Sequence, residues 1–526
     1  MVGMANKSIF QSLRGALIPV TTTQNDAGGK AYELSPKAAL ARIAATGCIT
    51  RTFYCSAETQ LDRVLALANE VDTDFLAQAA IYSRQKGYMK DMPALLCAVL
   101  ATRDLARLTE IFPQVIDNGK MLRNFVQIVR SGVTGRKSLG SAPKRLVRKW
   151  LEAASERQLL AAAIGNNPSL SDVVKMVHPR PGDATREAFY AWLVGKTYDP
   201  ALLPETIRAY EAWKISKEGK VPEVPFQMLT ALNLGEQEWA AIAETASWQM
   251  TRMNLNTFAR HGVFKNKLLL EKIAKRLADP DQVKRSKVFP YQLLAAYTNT
   301  SDVPCVIREA LQDAMETAID NVPAISGNIV VCPDVSGSMQ SSVTGYQKGA
   351  SSKVRCIDVA ALISAAFLRK NRNALVLPFE VGVVDLRLNP RDSVMTNAKK
   401  LVNIGGGGTN CSAPLTKLNK EQVSPDLVIF ISDNESWADP KAQRGTAMMI
   451  EWEKIKSRNK KAKLVCIDIV PNTTAQVPDR KDILNIAGFS DQVFDLIAAF
   501  ADGGDNEYNW IKEIESQPLN RYIKTA

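Results

Sequence analysis

Asn328-Ile-Val-Val-Cys-Pro-Asp-Val-Ser-Gly-Ser-Met339 is the stretch that decides the fold. It opens as an apolar, β-branched run and ends on one carboxylate and two hydroxyls. A strand buried on both faces reads this way, because neither side of it meets water. Downstream the same rhythm returns. Apolar runs at Ala374–Phe379, Asp426–Ile431 and Leu464–Val470 alternate with helical patterns at Ile357–Lys370 and Met448–Lys456. Strands separated by helices predict a doubly wound α/β unit with a parallel sheet. In such sheets a ligand sits at the carboxyl ends of the strands, where the strand order reverses.

Upstream of Asn321-Val-Pro-Ala-Ile-Ser-Gly327 the pattern is different. Segments of helical spacing recur at Pro36–Thr46, Gln60–Val71, Asp74–Lys86, Pro93–Arg103, Lys120–Arg130, Pro143–Ala154, Arg186–Val194, Glu205–Lys217 and Leu268–Ala278, broken by Gly, Pro or Asn. So many short helices cannot share one core, and stacked helical pairs of the HEAT-like kind are the expected solution. Three divisions follow: a helical domain over 1–325, an α/β domain over 326–501 and a polar tail over 502–526 with a short helix at Tyr508–Glu515.

The chain of 526 residues carries a formal charge of +12. Residues 1–325 hold 41 Lys and Arg against 32 Asp and Glu, whereas residues 326–526 hold 25 against 22. The excess therefore lies mainly in the helical part. It is concentrated between Asn118 and Leu151, where Lys120, Arg123, Arg130, Arg136, Lys137, Lys144, Arg145, Arg148 and Lys149 occur without one acidic residue. Such a group can neutralise phosphates and release counterions, although a solvated charged face has the same composition. The eight cysteines form no C-x-x-C pair and read as buried thiols of a reducing compartment, so a cytoplasmic location is expected. The N-terminal MVGMANKSIF lacks a secretory core, and the longest apolar runs, such as Met92–Ala101, fall short of a membrane span.

Three elements point to a metal centre. Asp334, Ser336 and Ser338 end the first strand, Gly405–Gly408 lead into Thr409, and Asp433 follows the strand ending at Ile431. A D-x-S-x-S stretch alone can be a capping turn. Followed in this order by a Gly-rich Thr loop and a post-strand Asp, it supplies hard oxygen ligands suited to Mg²⁺ or Mn²⁺. Enzyme motifs are missing. A phosphoaspartyl transferase would want an acid where Ser336 stands, no G-x-S-x-G surrounds the serines, and no Lys-Ser/Thr follows Gly408. Cys411 has no histidine near it in sequence and reads as a packed thiol.

This arrangement resembles the metal-ion-dependent adhesion site (MIDAS) of von Willebrand A domains, which implies Asp334, Ser336 and Ser338 as direct ligands and Thr409 and Asp433 as direct or water-mediated ones. Before it, Val129-Arg-Ser-Gly-Val-Thr-Gly-Arg136, Lys149-Trp150, Met176-Val-His178-Pro179, Asn254, Arg260-His261-Gly262 and Val288-Phe-Pro-Tyr291 are similar to the TROVE module of the Ro ribonucleoprotein (Ro autoantigen) family. Gly405–Pro414, Val428–Trp437 and Ile483–Phe489 resemble the A-type domain that follows it there. The resemblance implies a monomeric ring of helical repeats closed by the A domain, with no membrane role and no catalysis. It implies binding of small Y-like RNAs and of single-stranded 3′ ends of misfolded structured RNAs, in RNA quality control. It also implies an exoribonuclease partner, polynucleotide phosphorylase, and adds His178, Arg260 and His261 to the RNA-contact candidates. Both histidines can also be helix-capping residues. Two other function classes stay open: a metal-dependent assembly module for an acidic protein partner, and a Mg²⁺-dependent nuclease.

Overall fold

The computed structural model describes residues 18–46, 56–286, 288, 290–300, 302–320, 322–343, 354–440, 445–478, 480–488, 492–502 and 510–520. The N-terminal decapeptide, Cys48, Cys55, Phe289 and Tyr508 lie outside them. The chain forms two compact units. One comprises residues 1–60 with 319–510, and the other 61–318 with 511–526. The expected divisions were 1–325, 326–501 and 502–526; here the described residues 18–46 go with the α/β unit and residues 511–520 with the helical one.

The helical unit contains predicted elements at Thr73–Gln85, Asp91–Arg103, Gly119–Ser131, Ser141–Ala153 and Lys267–Ala278, and adds helices at Leu105–Val115 and Leu170–Val177 that the sequence reading did not name. Their starts are fixed by side-chain caps: Asp72 accepts from Phe75 N–H, Asn118 from Met121 N–H, and Ser155 and Ser169 form capping boxes. Neighbouring helices pack pairwise, Thr73–Gln85 on Asp91–Arg103 and the latter on Gly119–Ser131. Gly119 sits where a Cβ would come within 2.0 Å of Ala162 Cβ, so two helices meet at backbone distance. A long-period pattern ties the pairs together. Arg136 donates to Ala101 O (2.8 Å), Arg186 to Ala154 O (2.8 Å) and Arg276 to Ala243 O (2.8 Å), spanning 35, 32 and 33 residues. Each guanidinium satisfies a carbonyl left over at or near an earlier helix end. The C-terminal Trp510–Glu515 helix is followed by Gln517, whose carbonyl accepts from Gln78, while Ile514 is buried. Apolar Ile514 therefore anchors what composition alone marks as a solvated tail.

Five strands of the other unit are β3 (Ile329–Pro333), β4 (Leu375–Val376), β5 (Leu427–Ser432), β6 (Lys463–Asp468) and β8 (Ile483–Ala487). They lie in the order β4–β3–β5–β6–β8, all parallel. The chain leaves β3 for one edge and returns to its other side, so the carboxyl end of β3 is the switch point. Trp452 and Phe430 are buried together against this sheet. A second, small sheet was not foreseen. β1 (Thr23–Gln24) and β2 (Lys30–Glu33) form a hairpin, and β2 pairs antiparallel with β7 (Thr474–Ala475). The Pro36–Thr46 helix packs on β8. Among the described residues, no helix is long and apolar enough to cross a membrane.

Candidate metal centre and nucleic-acid interface

All five predicted oxygen donors come together at the switch point. β3 delivers Asp334 into the interior at 0% exposure, and the loop after it stays tied to both neighbouring strands. Asp334 N–H donates to Ile431 O and Val335 N–H to Phe379 O, each at 2.9 Å. The Gly-rich loop closes over this turn: Gly337 N–H donates to Gly407 O at 2.9 Å. Gly405, at φ +104, lies so near the Val335 carbonyl that a Cβ would stand 1.8 Å from its oxygen, so only glycine fits. Thr409 Oγ1 donates to Ser336 Oγ (2.9 Å), and Ser336 Oγ lies 3.3 Å from Ser338 Oγ. Ser336 N–H donates to Asp334 Oδ1 (2.8 Å), and the Ser338 hydroxyl bonds the Asp433 carboxylate.

Electrostatics argues for a cation here. Burial, and then the charge of Asp433, push the Asp334 carboxyl up to about 7, and burial also raises Asp433. Two carboxylates within mutual reach and out of water repel unless a positive charge lies between them. Arg42, a buried guanidinium of this unit, is engaged with Asp468 at 2.8 Å. The donor set is all oxygen, as a hard divalent ion requires.

Several supporting residues escaped sequence reasoning. Ser432 Oγ donates to Asp334 Oδ2 (2.6 Å), and the Glu380 carboxylate accepts from Gly407 N–H (2.9 Å). Ser436 accepts from Cys411 N–H (2.9 Å) and donates to Thr409 O (3.2 Å). Asp468 closes β6 as Asp334 follows β3 and Asp433 follows β5. An acid at the carboxyl end of a third apolar strand is a signal the sequence does contain. The Asp468 carboxyl is pushed up to about 8 by burial, with Arg42 opposing.

The basic segment separates into two kinds of residue. Lys120, Arg130, Lys137, Arg145 and Lys149 are exposed and Lys144 is half-buried. Arg123 is a correction: it is 9% exposed and donates to Ile164 O and to Pro168 O (3.4 Å), so it cannot reach a phosphate. Arg148, half-buried, donates through Nε (3.0 Å) and Nη2 (2.8 Å) to Val177 O, closing the Leu170–Val177 helix. Arg136 is committed to Ala101 O. On the Ser141–Ala153 helix, Arg145 and Lys149 share one outward face at i, i+4 spacing. His178 is exposed and caps its helix in the left-handed region (φ 50). His261 caps the Leu255–Arg260 helix, and its ring stacks on Trp239 at 4.4 Å and 16°. Arg260 is exposed, with a 3.3 Å bond to Thr257 Oγ1.

Comparison with known proteins agrees with this architecture. A family model of the TROVE domain matches residues 169–316, and one of the Ro60 vWA domain matches residues 328–501. The RNA-binding protein RO60 of Deinococcus radiodurans is 26% identical over 91% of this chain and 95% of its own length. The Caenorhabditis elegans RNA-binding protein RO60 is 27% identical over 43% of this chain and 35% of its own. The crystal structure of the Deinococcus radiodurans RO (RSR) protein superposes with a TM-score of 0.61 at 22% identity, covering 89% of this chain and 99% of that one.

Proposed function

The chain belongs to the Ro family, joining a TROVE domain to a Ro60-type von Willebrand A domain, and from that premise we propose that it is a non-catalytic RNA-binding protein. It binds small Y-like RNAs and the single-stranded 3′ ends of misfolded structured RNAs, as a cytoplasmic scaffold in RNA quality control, with an exoribonuclease such as polynucleotide phosphorylase as partner. The observation that carries this reading is the outward cationic face of the Ser141–Ala153 helix and its flanks, within a relative of proteins described as RNA-binding. Exposed cations attract a phosphate backbone without reading its sequence. Electrophoretic mobility shift with the RNA that co-purifies with the chain, followed by sequencing of that RNA, tests it. Absence of any bound RNA would overturn it.

Asp334, Ser336, Ser338, Thr409 and Asp433 would hold Mg²⁺ or Mn²⁺ in the α/β unit. When bound, the ion would supply Lewis acidity toward an oxygen donor of a partner. The chain's own groups do the rest: the hydroxyls orient the carboxylates, and burial keeps water from competing. This donor set also favours a second reading, a metal-dependent assembly module for an acidic protein partner. A nuclease is the weaker alternative, because neither histidine of the chain, His178 or His261, lies near Asp334 in sequence to act as a general base.

A further inference from the structure

The hairpin of β1 and β2 lies outside both family-model matches, yet it reaches the loop that carries Asp433. Asn25 holds the hairpin turn closed, accepting from Gly29 N–H at 2.7 Å, and sends its amide to Ser436 O at 2.8 Å. Ala27 N–H donates to Glu435 Oε2 at 3.1 Å, while the other oxygen of that carboxylate accepts from the Asn472 amide. Glu435 N–H in turn reaches Asp433 Oδ1 at 3.4 Å, and Ser436 bonds Thr409 O. Glu435 and Ser436 are each 1% exposed, so these bonds form away from water, where they are hard to replace. Gly29 makes the fit tightest: a Cβ there would lie 1.9 Å from Ser436 O. The hairpin itself is fixed by the register Tyr32↔Ala475 and Glu33↔Thr474.

We infer that the Thr23–Glu33 hairpin is a positioning element of the metal centre, setting the loop from Asp433 to Trp437 so that Asp433 and Thr409 stand at ligating distance from one cation. Two of the five donors are governed by it, one through Glu435 and one through Ser436. The inference rests on the metal reading of Asp334, Ser336, Ser338, Thr409 and Asp433.

The test is Mn²⁺ titration of the full-length chain, followed by electron paramagnetic resonance, with melting curves in EDTA and in Mn²⁺. Gly29 does not adopt a positive φ, so Gly29→Ala adds no φ strain and acts through the Ser436 carbonyl and, at 3.2 Å, the Asn25 amide that binds it. Asn25→Ala removes the amide without adding volume, and it decides the matter if Gly29→Ala fails to fold. Gly182→Ala, in the helical unit, is the control: its Cβ meets open space and its φ is not positive. We expect Gly29→Ala and Asn25→Ala to weaken Mn²⁺ by tenfold or more and to shrink the metal-induced rise in Tm. Gly182→Ala should leave the Mn²⁺ affinity and the metal-induced rise in Tm unchanged. Folded variants that bind Mn²⁺ within twofold of the wild type would overturn the hairpin's role alone. A wild-type chain that takes no Mn²⁺ would overturn the metal reading and this inference with it.

Discussion

Neighbouring cations on the Ser141–Ala153 helix should respond to mutation in opposite ways, which separates an RNA surface from a structural clasp. Replacing Lys144, Arg145 and Lys149 with Glu alters two exposed side chains and the half-buried Lys144. If each neutralises one phosphate, the slope of log K against log salt should fall in magnitude by about 2–3, taking about 0.7–0.9 per contact. Affinity at 50 mM salt should drop by more than tenfold, while Tm moves little. Arg148→Met should do the reverse. It breaks two bonds to the Val177 carbonyl, which as charge-assisted bonds are worth ~1.5–3 kcal/mol in a buried site; half exposure reduces this to about 1–2 kcal/mol. A unit of this size should then melt roughly 2–4 °C lower, with RNA affinity nearly intact. Fluorescence anisotropy of a structured RNA across a salt series, paired with circular-dichroism melts, reads both quantities. An unchanged salt slope in the folded triple variant would refute the assignment of this face to RNA.

Other outcomes are expected elsewhere. Asp334→Ala should abolish Mn²⁺ binding measured by isothermal titration calorimetry, while the helical unit keeps its circular-dichroism signal and RNA affinity; a parallel loss of RNA binding would refute the independence of the two sites. An RNA with a single-stranded 3′ overhang should bind more tightly than its blunt counterpart in a filter assay and stay intact in Mg²⁺ for hours, because free bases can stack on side chains at ~1–3 kcal/mol each. Stability without metal should fall as pH rises: the folded carboxyl of Asp334 sits near 7 against an ordinary 3.8, so the folded state holds more protons between about 4 and 7. Urea melts in EDTA should therefore give a lower midpoint at pH 8 than at pH 5.5, and added Mn²⁺ should help most at pH 8. A midpoint that rises with pH would contradict a buried, unneutralised pair.

Local patterns were legible, and distant partners were not. The helices at Gly119–Ser131 and Ser141–Ala153 follow from apolar spacing, and the carboxyl ends of β3 and β5 announce Asp334 and Asp433 by an abrupt change from apolar to acidic. Arg123 and Arg148 looked like their neighbours because charge carries no sign of which carbonyl lies opposite. That depends on how one helix pair stacks on the next. The run Ala374–Phe379 reads as a long strand; Leu375–Val376 form the regular ladder with β3, and beyond them Leu377 N–H and Phe379 N–H still donate to Val331 O and Pro333 O. β8 escaped because Asn485 interrupts its apolar run; inside the fold that side chain donates to Val477 O (3.1 Å). The first hairpin has strands of two and four residues, too short to show a period, and its partner β7 is only two residues long.

The pairing of Tyr32 with Ala475 also sets a clock on biosynthesis. About 440 residues separate the two positions, and at ~5–20 residues per second a ribosome needs roughly 20–90 s to cover them. The helical unit emerges in between and can pack from local contacts while β2 still has no partner. During that wait an open strand edge invites pairing with other nascent chains. A strand of only four residues, with Lys30 and Glu33 charged at its two ends, is a poor template for such pairing.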